Sequence, residues 1–389
     1  MEIGIVIHGP DVVDSGMAHE IIDILSGFGK TTARMAGTIG KTAVLDAHLE
    51  ETIDITTSLK PSACIEDFFR TKDAVFLLNQ GKSIDNGRIF ASIVVSKLKD
   101  RNEKPLIQIE SPSRSEGEVI PWNNSSVALA TEIAQLLGIN LSDVPEVVRP
   151  IRIEDHGHRI IRKIYGVHPG EKILVNGIIV GQAMSEDIHI VTEDGLIRDI
   201  KGAQVKEHGL EKLHKYEKRE TIDITKCWVK SGPLRSNNFL VRRQALTIAK
   251  TGALDTTSTE IMQTSPPTAI RAVIIDHEAE RSFELAEGAQ VAITIGDDTT
   301  EIAGDILFRL KIPIIGITDG DLDGFSHRKH IYPGSIIFRV KDGYDDIIGK
   351  KIRSEIFQGQ DSGSFDSLFK LKDQVRLLAD SAIKFSTNY

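Results

Sequence analysis

Cysteine is almost absent. The 389 residues include only Cys64 and Cys227, 163 positions apart, which give neither a disulfide framework nor the CxxC spacing of a metal knuckle. A reducing compartment suits that pattern. No apolar run approaches the roughly 18 residues that a membrane-spanning helix needs, and the opening MEIGIVIHGPDVVDSG has the pattern of a buried strand without a basic leader. Both absences point to the cytoplasm. A surplus of basic charge is missing too: the formal charge is −9, which argues against binding polyanions over the whole surface and leaves room only for a local basic groove. Nucleic acid is therefore not the expected partner. The rest is ordinary for a folded protein, with 40% hydrophobic and 26% charged residues. That balance excludes disorder, collagen and coiled coil, and the length suggests two or three domains at about 150 residues each.

The run IGIVI, bounded by His8-Gly9-Pro10, reads as a strand buried on both faces, as in a parallel sheet. A helix over about 15–26 comes next, with Met17, Ile21, Ile22, Ile24 and Leu25 on one stripe and Gly27 as its stop. KTTARMAG, DAVFLLNQG and PLIQIESP repeat the strand pattern. TIGKTAVLDAHLEE and segments near 83–98 and 125–137 repeat the helical one. This alternation predicts an open α/β sheet of Rossmann or flavodoxin type over 1–140. Two prolines in LSDVPEVVRP mark a linker, and glycine-punctuated β-prone runs such as EKILVNG and DIHIVTEDG predict a small β-rich module over 147–215. A second α/β domain is expected over 216–340. It opens with a strand at IDITKCWVK and a helix over 239–250, and continues with strands AVIID, QVAITI and PIIGIT and helices near 279–287 and 299–310. The tail, 341–389, reads as a β extension running through IGKKIRSEIF and an amphipathic helix near 365–384. The expected fold class is thus α/β, with two open, mostly parallel domains flanking a β module. The last helix offers a surface for the body or for a partner, a second copy of the chain included.

GKT occurs twice, at Gly29-Lys30-Thr31 and Gly40-Lys41-Thr42. A Walker loop needs another glycine five positions before the GK, so that backbone amides wrap a phosphate. Ile24 and Met35 stand there instead. No GxGxxG occurs, so the dinucleotide fingerprint is missing as well. The second GKT nevertheless leaves a strand and enters a helix, which aims Gly37, Thr38, Gly40 and Lys41 at the crevice where open sheets bind ligands. His8 and Gly9, then Asn79, Gly81, Lys82 and Ser83, and also Glu110 end neighbouring strands and belong to the same candidate pocket. Lys41 and Lys82 are the residues expected to meet an anion. The same glycines, asparagine and serine also serve as plain turn chemistry.

The sharpest signal is acidic. Gly296-Asp297-Asp298 comes after one strand and Asp319-Gly320-Asp321-Leu322-Asp323-Gly324 after the next, so parallel pairing places both at one sheet edge. Carboxylates gathered there suit a hard cation such as Mg²⁺, which takes one or two carboxylates and keeps phosphate or water oxygens in its other positions. Asp297, Asp319, Asp321 and Asp323 are the candidate ligands. Each also has a structural reading: Asp298 with Glu301 forms a capping box, Asp305 with Arg309 an i,i+4 pair, and 319–324 a solvated turn. An EF-hand fails, because its twelfth position is His330.

The TDGDLDG run resembles the acidic signature of Toprim domains, magnesium-binding modules of topoisomerases and related nucleotidyl enzymes. That resemblance implies a glutamate after an earlier strand, a role for which Glu278 stands ready, although Ala279 replaces the glycine the family favours. Gly320-Asp321-Leu322-Asp323 is also similar to the Mg²⁺ turn of thiamine-diphosphokinase-like enzymes, with Gly324 in place of serine. Over its whole length, through IVIHGPDVVDSG, MAGTIGKTAVLDAHLE, LLNQGKS, QIESPS and GDDTTEIAGDIL, the chain resembles an uncharacterised conserved archaeal family associated with methanogens. That resemblance implies a cytosolic setting and does not point to any one activity.

Three weaker clusters complete the reading. His156 and His158 sit at i, i+2 and with His168 or His189 suit zinc or iron. The loop from Lys230 to Ser236 can clasp phosphate, and Asp255 to Thr259 reads as a turn or helix start without a nucleophile elbow. The expectation is a Mg²⁺-dependent phosphoryl or nucleotidyl transferase acting on a phosphorylated small molecule or nucleotide. The alternatives are a non-catalytic metabolite sensor or scaffold and a Toprim-like action on nucleic acid, the latter drawing on the basic run 327–330.

Overall fold

A computed structural model describes residues 1–99, 103–147, 152–215, 219–232, 269–320 and 330–389. They belong to two compact units, one within residues 1–239 and the other within 240–389. The helix expected over 239–250, the cluster Asp255 to Thr259, and Asp321 and Asp323 lie outside the described residues.

The first unit contains a seven-stranded sheet ordered β3-β2-β1-β4-β5-β6-β7. Its strands are β1 (Glu2–His8), β2 (Lys30–Ala36), β3 (Ile53–Asp54), β4 (Ala74–Asn79), β5 (Leu106–Glu110), β6 (Glu118–Pro121) and β7 (Asn140–Leu141). All pairings are parallel except β5 with β6. The two-residue period of a strand splits its side chains between faces. Ile3, Ile5, Ile7, Phe76 and Leu78 pack with helices Met17–Ser26, Thr38–Ala47 and Val127–Leu137. Val6, Val75 and Leu77 face helices Pro61–Thr71 and Ile84–Val95. Apolar residues on both faces explain why these strands read as unbroken hydrophobic runs. Helix Pro61–Thr71 is an addition to the elements expected from sequence: proline stands at its start, and its buried stripe is no more than Cys64, Ile65 and Phe68.

The same unit carries two four-stranded antiparallel sheets, β14-β11-β10-β15 and β13-β12-β9-β8. They comprise β8 (Ile153–Asp155), β9 (Arg159–Ile164), β10 (Lys172–Val175), β11 (Ile178–Ala183), β12 (Ile188–Glu193), β13 (Leu196–Lys201), β14 (Ala203–Val205) and β15 (Val229–Gly232). Asn176-Gly177 and Asp194-Gly195 make the connecting turns, and all of these residues have positive φ, as the tightest hairpins demand. The strand expected at IDITKCWVK is confined to Val229–Gly232. In the preceding segment Asp223 instead binds the amide and hydroxyl of Thr225, a side-chain turn that replaces ladder pairing.

The second unit is a six-stranded sheet ordered β20-β16-β17-β18-β19-β21. Strands β16 (Ile270–Asp276), β17 (Val291–Ile295), β18 (Ile314–Thr318) and β19 (Ile336–Val340) run parallel, and β20 (Ser362–Phe365) and β21 (Ile383–Asn388) close the edges antiparallel. Two expectations need correcting here. IGKKIRSEIF is not β: Asp345–Lys351 is an α-helix that continues into a π-helical turn, Ile352–Ile356. Ile348 and Ile352 form its buried stripe, with Asp345 and Asp346 in the first turn and lysines in the last, the charge order that the helix dipole favours. The final helix is Leu368–Ala379 and ends before β21.

The sheet of the first unit packs tightly at Gly4. A Cβ there would fall 2.6 Å from Cγ of Phe68, so Gly4→Ala is expected to destabilise the first unit by about 1–3 kcal/mol, the usual effect of overpacking. Urea unfolding followed by fluorescence should show a lower midpoint at unchanged slope; an unaltered midpoint would refute the packing.

Candidate functional site

Parallel pairing in the second unit delivers the carboxyl ends of β16, β17, β18 and β19 to one edge. Asp276 ends β16, with His277 directly after it. Asp297 comes after β17, Asp319 after β18, and Asp345 and Asp346 open the helix after β19. Asp297, Asp319 and Asp345 are almost fully buried. The amide of Gly320 donates to Asp297 Oδ2 at 2.8 Å and that of Gly343 donates to Asp319 Oδ2 at 2.6 Å. Asp297 Oδ1 is buried without a hydrogen-bond partner among the described residues; its nearest cation is Arg339, at 3.5 Å. Ligand-capable atoms of Asp276, His277 and Asp346 also lie within 4.8 Å of one another.

Opposing forces set the electrostatics of this edge. Burial, reinforced by the neighbouring Asp319, pushes the Asp297 carboxyl up to about 7 against the pull of the Gly320 amide and Arg339. Asp345 is pushed up to about 6, again first by burial and then by the charges of Asp319 and Asp346. Arg353 compensates at Asp276, 3.2 Å from Oδ2, and His277 Nδ1 meets Oδ1 at 2.6 Å. Gly320 has φ +80, and a Cβ on it would overlap the Arg339 guanidinium. The glycine of the TDG run is therefore what lets Arg339 reach Asp297.

Of the acids expected from sequence, Asp297 and Asp319 meet at this edge. Glu278 pairs with Arg281 at 2.7 Å and is nearly half exposed; Asp276 and His277 stand at the end of its strand instead. The capping box at Asp298 is corrected. The helix begins at Asp297, its N-cap is Gly296 with φ 94, and no side-chain cap bond forms, because both aspartates already lie within the first turn. The Asp305–Arg309 pair forms at 2.8 Å. Asp276, His277, Asp345 and Asp346 are additions, although the signal is present: AVIID-H and FRVKDGYDD also place acids directly after strands.

The crevice of the first unit joins some expected residues and separates others. His8 and Asn79 are register partners at the ends of β1 and β4. His8 Nδ1 lies 2.9 Å from Asn79 Oδ1, and Asn79 Nδ2 donates to Glu110 Oε2 at 2.8 Å. Gly81 donates its amide to Glu110 Oε1 at 2.7 Å. Gly9 and Gly37 adopt positive φ, while Ser83 caps helix Ile84–Val95 through Asn86. Thr38 and Gly40 lie in the first turn of their helix, and Gly40 is packed so closely on Met35 that a Cβ would overlap its sulfur. The two lysines turn elsewhere: Lys41 is buried and donates to Ser58, and Lys82 binds the Gly166 carbonyl and Glu171. Among the weaker clusters, His168 faces Glu186 and His189 faces Asp187, and among the described residues neither joins a group of metal-ligand atoms with His156 or His158.

This is an α/β protein whose second unit gathers buried carboxylates at the carboxyl ends of its parallel strands. The family described as "Uncharacterized protein conserved in archaea (DUF2117)" matches residues 5–360, and the chain belongs to that family. It is similar to "Uncharacterized protein MJ0065" of Methanocaldococcus jannaschii, at 38% identity over 360 residues, covering 92% of each chain. No solved structure matches the chain. No helix among the described residues is long and apolar enough to cross a membrane.

An acid raised above its ordinary range keeps, when folded, a proton that the unfolded chain has already lost. Between pH 4 and 7 the stability contributed by Asp297 and Asp345 therefore falls as pH rises, and it is fully lost above 7. Asp297→Asn removes one charge and lets an amide donate to Asp319. Thermal unfolding in chelator at pH 8 should shift upward by roughly 2–4 °C, the equivalent of ~1 kcal/mol in a unit of this size. The shift should vanish near pH 4; equal shifts at both pH values would contradict the electrostatic account.

Proposed function

We propose that this chain is a divalent-cation-dependent enzyme of phosphoryl or nucleotidyl transfer, acting on a phosphorylated small molecule or nucleotide. The observation that carries the reading is Asp297, buried beside Asp319, whose Oδ1 lacks a hydrogen-bond partner among the described residues and faces the Arg339 guanidinium at 3.5 Å. Buried polar atoms are nearly always satisfied, and an exception calls for a water or an ion. Hard carboxylate oxygens suit Mg²⁺. Asp297 and Asp319 would hold it, with Asp345 beside them and Asp276, His277 and Asp346 completing the edge.

When bound, the cation supplies Lewis-acid charge for phosphate oxygens. The chain's own residues do the rest. The amides of Gly320 and Gly343 fix the carboxylates, Arg339 orients Asp297, and Arg353 holds Asp276. Such chemistry relies on positioning and charge neutralisation and needs no covalent nucleophile. The fold supports this reading because ligands of open α/β sheets bind at the carboxyl ends of strands.

Titration calorimetry with Mg²⁺ and Mn²⁺, alone and with nucleotides, tests the reading. Saturable metal binding is expected, with loss of the heat in the Asp297→Asn, Asp319→Asn double variant; unchanged affinity in that variant removes the metal role. Phosphorus NMR of the loaded protein then separates transfer from a non-catalytic sensor, which would bind without consuming the nucleotide.

A further inference from the structure

The first unit contains a second constellation whose hydrogen-bond polarity can be worked out link by link. Strand order β3-β2-β1-β4-β5 reverses its winding between β1 and β4, the place where an open sheet leaves a crevice outside its strand ends. His8 and Asn79 stand opposite each other there, and Glu110 lies behind them, fully buried.

An indole N–H can only donate. Trp122 Nε1 donates to Gln108 Oε1 at 3.2 Å, so Gln108 must turn its Nε2 the other way, to Glu110 Oε2 at 2.7 Å and the Gly87 carbonyl at 3.2 Å. The Gly81 amide, also a donor only, meets Glu110 Oε1, and the Ser111 hydroxyl donates to the same oxygen at 2.9 Å. Burial leaves the Glu110 carboxyl above its ordinary value although four hydrogen bonds pull it down, and donors address both of its oxygens, so that it stands as an acceptor. Asn79 must then offer Nδ2 to Glu110 and Oδ1 to His8. An amide oxygen only accepts. His8 therefore carries its proton on Nδ1 and leaves Nε2 as a bare lone pair.

We infer that the crevice between β1 and β4 is a ligand site in which His8 Nε2 is a fixed hydrogen-bond acceptor for a small molecule bearing an O–H or N–H group. The ring cannot turn freely, because Phe90 stacks on it at 4.0 Å with planes 16° apart. Gly37 stands beside its edge: a Cβ there would come 4.0 Å from His8 Cδ2, and the φ of +97 at that position favours glycine. Burial, with the charge of Lys230 nearby, holds the imidazole down to about 4, so at neutral pH Nε2 accepts a hydrogen bond without taking the proton. The lysines expected from sequence to bring an anion here bind Ser58 and Glu171 instead. Asn79 and Glu110 act as positioning residues.

The test is the tautomer and its reach. In ¹⁵N-histidine-labelled protein at pH 7, with His8 assigned through loss of its signals in His8→Gln, Nδ1 should resonate as a protonated nitrogen and Nε2 as an unprotonated one. The isosteric change Glu110→Gln offers Asn79 a donor, so the amide should flip and move the His8 proton to Nε2. Asn79→Leu, which breaks the chain without recharging it, should leave a mixture. Diethyl pyrocarbonate at pH 6 then probes access: the wild type should be acylated at His8 Nε2, and Glu110→Gln several-fold more slowly. A wild-type proton on Nε2, or a His8 that stays unmodified while exposed His19 reacts, overturns the proposal.

Discussion

Repulsion among carboxylates confined to one dry edge is the interaction on which the second unit turns. Hydrophobic strands β16 to β19 must pair in parallel to cover both faces, and that pairing lines up the residues just past each strand. Aspartate occupies that position again and again. The edge is held by backbone amides at Gly320 and Gly343 and by Arg339 and Arg353, yet the acids still outnumber these cations. Burial first, and then neighbouring charge that the protein does not neutralise with its own side chains, raises the carboxyl affinity for protons, as at Asp297 and Asp345. That charge raises the affinity for a divalent cation by the same physics.

The first unit solves the opposite problem. Glu110 is as deeply buried as any aspartate of the second unit, but all its neighbours donate to it. Gly87 sits so close that a Cβ would overlap the Glu110 carboxyl group, leaving no space for an ion on that side. A satisfied carboxylate behind a crevice orients its neighbours; an unsatisfied one invites a ligand to itself. That difference, rather than acidity as such, separates an edge that would hold metal from an edge that would read a hydrogen bond.

Fold and site are legible in the sequence wherever a local pattern and its structural consequence coincide. Unbroken apolar runs announce both parallel sheets, Asn176-Gly177 and Asp194-Gly195 announce hairpins, and acids after QVAITI and PIIGIT announce the edge. The losses have physical causes. Helix Pro61–Thr71 buries too narrow a stripe to stand out from its charged flanks. Asp345 and Asp346 are hidden because Ile347, Ile348 and Ile352 read as β-prone, although they lie on a helix. Asp276 reads as the last residue of an apolar strand, and Glu278, two positions on, competes for the same role. Lys82 is beyond any local reading: its partner Glu171 is 89 positions away, and no periodicity reports such a contact.

Polarity is the property least visible in composition and most decisive in the folded chain. Gln108, Asn79 and His8 are each ambiguous when taken alone, since amides flip and imidazoles change tautomer. Trp122 and the Gly81 amide are not, and every ambiguous group is tied to one of them, Gln108 directly to Trp122 and the others through Glu110. A substitution that conserves shape but reverses donor and acceptor at Glu110 should therefore be felt at His8, on the far side of Asn79. A site specified in this way depends on residues that never touch its ligand. Gly320 matters to the acidic edge for a similar reason: its missing side chain, not any contact it makes, admits the guanidinium that steadies Asp297.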